Sequence, residues 1–149
     1  MQIKKIMSHR LQTIEPDATM QSASEMMKKL SIRHLPVVDL KGEFIGILSD
    51  RDIHRSMTVI KGNIGKETHI QSHKRVADFM TSPVHTVHED ESIEKIVRDM
   101  LELKVSCFLV KNGDKITGIV TSDDFLLYLL EMLGESKNPL SLKRILRLK

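Results

Sequence analysis

Gly46-Ile47-Leu48-Ser49-Asp50-Arg51-Asp52 returns, in residue type, as Gly118-Ile119-Val120-Thr121-Ser122-Asp123-Asp124. Each copy runs from a glycine through two apolar residues to a hydroxyl residue, and three residues later to an aspartate. The glycine and the apolar pair read as the end of a buried strand, and the Ser/Thr-x-x-Asp as the start of a helix. Two readings of that start compete. One is a capping box, a common helix-start device with no ligand. The other is a nucleotide-type site. A helix N-terminus suits a phosphate, and an aspartate one turn in can accept hydrogen bonds from a diol such as a ribose. The second reading gains weight only if the surroundings repeat too.

They do. Met7 aligns with Met80, an offset of 80 − 7 = 73. At that offset Thr13 meets Thr86, Ile14 meets Val87, Thr19 meets Ser92, Met27 meets Met100 and Val37 meets Val110. After a one-residue deletion Gly46 meets Gly118 at an offset of 72, which brings Ser49 onto Thr121 and Asp52 onto Asp124. Such self-similarity marks a repeated fold.

Each half predicts the same element order. A short extended piece, 11–14 or 84–87, leads into an amphipathic helix. Thr19 caps a helix over 20–30 with Met20, Ala23, Met27 and Leu30 on one face, and Ser92 caps one over 93–103 with Ile93, Ile96, Val97 and Met100. Two strands follow, 35–38 with 44–48 and 107–110 with 116–120, joined at Lys41-Gly42 and Asn112-Gly113. A second helix closes each half, from about Asp50 to Met57 and from about Ser122 to Leu133, with Gly134 at its end. The stretch 58–75 is polar, carries two glycines and shows no clear apolar period, so it reads as a mobile loop or linker. The domain reading is a first repeat over 1–57 with an N-terminal lead-in, the linker 58–75, a second repeat over 76–134 and a basic tail over 135–149.

Composition narrows the classes. The chain of 149 residues is 40% hydrophobic but only 3% aromatic, so its core must be aliphatic and Met-rich. A net charge of +3 from 23 basic and 20 acidic residues describes a mixed surface and argues against a general nucleic-acid binder. No apolar run approaches the roughly 18 residues of a membrane span, and 1–7 lacks a signal-peptide apolar region, so the expected location is the cytoplasm. The single cysteine, Cys107, sits in an apolar run and reads as a buried core thiol. His69 and His73 are spaced as helical metal ligands but have no Cys or acidic companions, so no metal is expected. No nucleophile with a nearby base and no Gly-x-x-x-x-Gly-Lys loop is present, which points away from an enzyme.

The set of motifs resembles a tandem pair of cystathionine β-synthase (CBS) domains, often called a Bateman module. Met7-Ser8, Thr13-Ile14, Arg33-His34-Leu35-Pro36-Val37-Val38-Asp39 and Gly46 to Asp52 carry the resemblance in the first copy. Met80-Thr81-Ser82-Pro83-Val84, Thr86-Val87 and Gly118 to Asp124 carry it in the second. The resemblance implies an α/β fold: two β-α-β-β-α repeats packed sheet to sheet with pseudo-two-fold symmetry, commonly paired again as a homodimer. It implies regulation through an adenosine-containing ligand in clefts between the repeats: AMP, ADP or ATP first, with S-adenosylmethionine or NAD as other members of the class. By position, Asp52 and Asp124 would hold ribose hydroxyls, and Ser49 and Thr121 would contact phosphate. The backbone at Thr13-Ile14 and Thr86-Val87 would meet the adenine edge. Pro36 and its neighbours would wall the ring.

The copies are unequal. Arg33-His34 in the first becomes Ser106-Cys107 in the second, and Arg51 becomes Asp123. The cleft bordered by Arg33, His34 and Arg51 is therefore the better fit to a phosphate. Two alternatives remain: a structural dimerisation module with vestigial sites, or an adaptor that meets nucleic acid or a protein through the basic tail.

Overall fold

A computed structural model describes residues 1–62, 65–71 and 73–134. The basic tail lies outside them. Helix α1, Met20–Leu30, begins where the Thr19 Oγ1 accepts the Ser22 N–H at 3.0 Å, and it buries Met20, Ala23, Ser24 and Met27. Its equivalent α3, Ile93–Leu103, begins where the Ser92 Oγ accepts the Lys95 N–H at 3.2 Å, and it buries Ile96 and Met100. Both helices end on a left-handed residue, Ser31 with φ 52° and Lys104 with φ 55°. These two positions are 73 apart, so the repeat extends to a backbone turn that glycine usually supplies.

In the first repeat, β1 (His34–Val38) pairs antiparallel with β2 (Phe44–Ser49), His34 opposite Ser49 and Pro36 opposite Ile47. Ile14 forms a parallel bridge on the other flank of β1. Helix α2 (Asp50–Ser56) follows, and then β3 (Met57–Gly62) and β4 (Gly65–Ile70) form an antiparallel hairpin. The loop reading of 58–75 is thus corrected where 58–62 and 65–70 form strands, and its residues 63, 64 and 72 lie outside the described ones. The signal was present in β-branched residues, Thr58, Val59, Ile60, Thr68 and Ile70, on either side of Gly62 and Gly65. The second repeat has no counterpart to this hairpin among the described residues, so the repeat could not reveal it.

In the second repeat, β5 (Thr86–His88) runs parallel to β6 (Cys107–Asn112), which pairs antiparallel with β7 (Lys115–Thr121), and α4 (Ser122–Met132) closes the unit. The hairpin turns contain Gly42 at φ +84° and Gly113 at φ +59°. The predicted extended piece at 11–14 shrinks to the Ile14 bridge, whereas its equivalent forms strand β5. Pro36 supplies the reason. At the equivalent position Leu109 donates its N–H to the His85 carbonyl at 3.1 Å. Proline has no N–H to give, so the first repeat lacks that rung.

The chain divides into two compact units, and each takes its lead-in from the other repeat. One unit is Gln12–Val84. The other joins Met1–Leu11 to the chain from His85 onward. The Met-(Ser/Thr) segment of one repeat lies over the glycine that precedes the Ser/Thr-x-x-Asp of the other. Thr81 exchanges N–H and C=O bonds with Ile47 at 2.9 and 3.0 Å, and Ser8 does so with Ile119 at 2.9 Å in both directions. A Cβ on Gly46 would stand 2.6 Å from the Met80 sulfur, and one on Gly118 would stand 2.6 Å from the Ser8 carbonyl oxygen. These glycines are therefore required by close approach. The cores follow the same division. Ile3 and Met7 join Val87, Ile96, Met100, Phe108, Val110 and Val120, while Val76 joins Met20, Ala23, Met27, Leu35, Val37, Leu48 and Ile53.

Candidate functional site

Both Ser/Thr-x-x-Asp motifs are capping interactions. The Asp52 Oδ2 accepts the Ser49 N–H at 2.7 Å and the Ser49 hydroxyl at 2.8 Å. The Asp124 Oδ2 accepts the Thr121 N–H at 2.7 Å and the Thr121 hydroxyl at 2.9 Å. Each aspartate is buried, at 5% and 9% exposure respectively. The residues just before β1 and β6 help to place the helix starts, since the Arg33 carbonyl accepts the Asp50 N–H and the Ser106 carbonyl accepts the Ser122 N–H, at 2.9 and 3.0 Å. The cap and the ligand readings are compatible at Asp52. A carboxylate offers about four lone-pair directions, and the cap uses Oδ2.

The Asp52 Oδ1 faces a residue that the sequence reading had not singled out. The Arg55 guanidinium lies 3.1 Å from it and also donates to the Phe79 carbonyl at 3.3 Å. Arg55 sits one helical turn after Asp52, so an i, i+3 check of charges would have found it. Its equivalent in the second repeat is Leu127. The unequal charge of the two copies therefore extends beyond Arg33, His34 and Arg51.

At the start of α2 part of the N–H donor set is already bonded within the chain. This helix spans seven residues, and its Asp50 and Asp52 N–H groups already bond to the Arg33 carbonyl and the Ser49 hydroxyl. Cationic side chains nearby are further donors suited to an anion. Arg33 and Arg51 are exposed and His34 is half-buried. His34 is opposite Ser49 in the ladder, so these residues gather at one end of the β1–β2 pair.

The expected adenine-edge residues occupy an edge in each unit. The Ile14 N–H donates to the Pro36 carbonyl at 3.0 Å, and its carbonyl accepts from Val38 at 2.9 Å. The alternation of an extended chain then turns the backbone groups of Thr13 away from β1. Val87 holds the same place beside β6, opposite Val110, and Thr86 turns outward in the same way. Thr13 and Thr86 are exposed, Val87 is buried and Ile14 is half-buried. Pro36 is fully buried within β1. All first-repeat candidates lie in the unit Gln12–Val84, while Thr86, Val87, Thr121 and Asp124 lie in the other.

Cys107 is buried, and that burial, with the Asp124 charge as a smaller cause, pushes its thiol up to about 12. It stays protonated near neutral pH and is poorly suited to nucleophilic work. Among the described residues, no three His, Cys, Asp or Glu side chains converge on a metal position. Likewise no helix there is long and apolar enough to cross a membrane.

Comparison with known proteins bears on this arrangement. The profile of the CBS domain matches residues 3–58 and again 76–131. The chain is 32% identical over 126 residues to the uncharacterized protein YlbB of Bacillus subtilis, covering 84% of this chain and 80% of that one. It is 29% identical over 123 residues to an L-aspartate semialdehyde sulfurtransferase of Methanocaldococcus jannaschii, covering 82% of this chain but only 22% of that enzyme. The chain thus spans about a fifth of the length of the enzymes it resembles. Among solved structures, the CBS domain pair of protein MJ0100, in complex with 5′-methylthioadenosine and S-adenosyl-L-methionine, superposes with a TM-score of 0.70 at 27% identity, over 87% of this chain and 99% of that one. The two profile matches coincide with the two repeats and with both Ser/Thr-x-x-Asp motifs, and the chain belongs to the CBS domain family, with two such domains in tandem.

Proposed function

We propose that this chain is a non-catalytic regulatory module that binds an adenosine-containing ligand and signals its presence by a change in its own conformation. The observation that carries the proposal is the matched pair of buried carboxylates, Asp52 and Asp124, each held in fixed orientation by its own hydroxyl residue. A fixed, buried acceptor suits a ribose diol, because little ordering remains for binding to supply. Thr13 and Thr86 would present backbone groups to the adenine edge. Pro36, fully buried in β1, would back the wall beside it without lining it. Arg33, His34 and Arg51 would favour a phosphate in the first repeat, which supports AMP, ADP or ATP there. The second repeat has Ser106, Cys107 and Asp123 in those places, which suits a ligand of lower negative charge. The adenosine compounds bound to protein MJ0100 support the same ligand class. We also assign the module to the cytoplasm and to a homodimer. Leu126, Leu129, Met132 and Leu133 leave an apolar stripe exposed on and just beyond α4, which favours self-association.

A thermal-shift screen against AMP, ADP, ATP, NAD, S-adenosylmethionine and 5′-methylthioadenosine tests the proposal. A ligand at 100 times its Kd stabilises the folded state by about 2.7 kcal/mol, which raises Tm by several degrees. Failure of every compound to raise Tm at millimolar concentration would contradict it.

A further inference from the structure

The crossing of the lead-ins leaves two short pieces of chain between anchors in different units, and they differ. Thr81 is bonded in both directions to Ile47, and the Ser82 hydroxyl donates to the Ile45 carbonyl at 2.8 Å. Both anchors lie in the unit that carries Ser49 and Asp52. The chain then passes Pro83 and Val84 to His85, whose carbonyl accepts the Leu109 N–H at 3.1 Å and whose ring meets Phe108 edge-on. Those anchors lie in the other unit, directly before Thr86 and Val87. Only two residues separate the anchored ends, and proline fixes one φ angle between them. The other crossing is looser. Ser8 is bonded to Ile119, and the next backbone anchor of this kind is Ile14. Five residues lie between, because Pro36 cannot make the bond that Leu109 makes to His85.

We propose that residues 81–85 form a strap that couples the two repeats, so that a change at the Gly46–Ser49 end of β2 is transmitted to the Thr86–Val87 edge, and that the 8–14 crossing transmits less. β2 cannot shift near Gly46 without moving the strap, since Met80 and the Thr81 carbonyl stand 2.6 and 3.1 Å from where a Cβ would be. Coupling of this kind is reciprocal at equilibrium. That the two coupled places serve ligands rests on the function proposed above. The mechanical coupling does not.

Amide hydrogen exchange on the full chain tests the strap without a ligand. Gly46→Ala and, as a milder change, Ser82→Ala disturb its first anchor. Ala23→Gly weakens the same unit from within α1 and leaves both anchors in place. The strap predicts that Gly46→Ala and Ser82→Ala speed exchange at Leu109 and Glu89 by about fivefold or more relative to Met100 on α3. Ala23→Gly should not, and Gly118→Ala should affect Ile14 and Val38 less. Equal exchange at Leu109 in all variants, or the same change with Ala23→Gly, would overturn the strap. Adding AMP to the wild-type sample separates the two proposals. Coupling at Leu109 without any response to AMP supports the strap and counts against AMP as ligand. A response to AMP without coupling at Leu109 overturns the strap alone.

Discussion

At the residue scale, Asp52 and Asp124 have an architectural duty whatever they bind. Each closes a helix cap, so each contributes stability comparable with other caps, about 0.5–2 kcal/mol. An alanine variant lowers Tm in the absence of ligand, and only the increment added by ligand reports on binding. Arg55 gives a sharper test. Its guanidinium occupies one side of the Asp52 Oδ1, and an uncharged nucleoside must share or displace it, whereas a phosphate offers it another partner. Arg55→Leu recreates the situation of Leu127 in the second repeat. It should raise the affinity of the first repeat for adenosine and lower that for AMP. The ratio of the two constants, measured by titration calorimetry, should change about tenfold or more, corresponding to a charge-assisted hydrogen bond of about 1.5–3 kcal/mol. An unchanged ratio would place Arg55 outside the site.

At the element scale, the two close-approach glycines should respond differently to the same substitution. In Gly118→Ala the new methyl meets the Ser8 backbone carbonyl, which cannot swing aside. In Gly46→Ala the closest atom is the Met80 sulfur, at the end of a flexible side chain. Overpacking typically costs about 1–3 kcal/mol. Urea unfolding should place Gly118→Ala near the upper end of that range and Gly46→Ala nearer the lower. Negligible cost at both positions would mean that the lead-ins do not lie over these glycines. Most of these elements were legible in the sequence, because their signals are local. Thr19 and Ser92 announced α1 and α3, and Gly42 and Gly113 announced the hairpin turns. The β3–β4 hairpin was missed because its glycines and charged residues obscured two short β-branched runs. The Pro36 effect was missed for another reason. The loss of one ladder bond appears only once the partner strand is known.

At the scale of the whole molecule, the repeat revealed the family and concealed the connectivity. Aligning Met7 with Met80 showed that the lead-ins are equivalent, but equivalence does not say which repeat receives which lead-in. That is settled by contacts between residues far apart in sequence, such as Ser8 with Ile119 and Thr81 with Ile47. The candidate site was legible in outline, since hydroxyl and aspartate recur in both copies. Its charge balance was read only in part, because Arg55 lies beyond the repeated motif. The account stands on two carboxylates that orient an adenosine-type ligand in unequal surroundings. Titration calorimetry of wild type, Asp52→Asn and Asp124→Asn with AMP and with S-adenosylmethionine tests this most directly, asparagine keeping an acceptor for the cap. The account predicts that Asp52→Asn weakens AMP selectively and Asp124→Asn weakens S-adenosylmethionine selectively. Wild-type affinity for both ligands in both variants, or no binding to wild type, would contradict it.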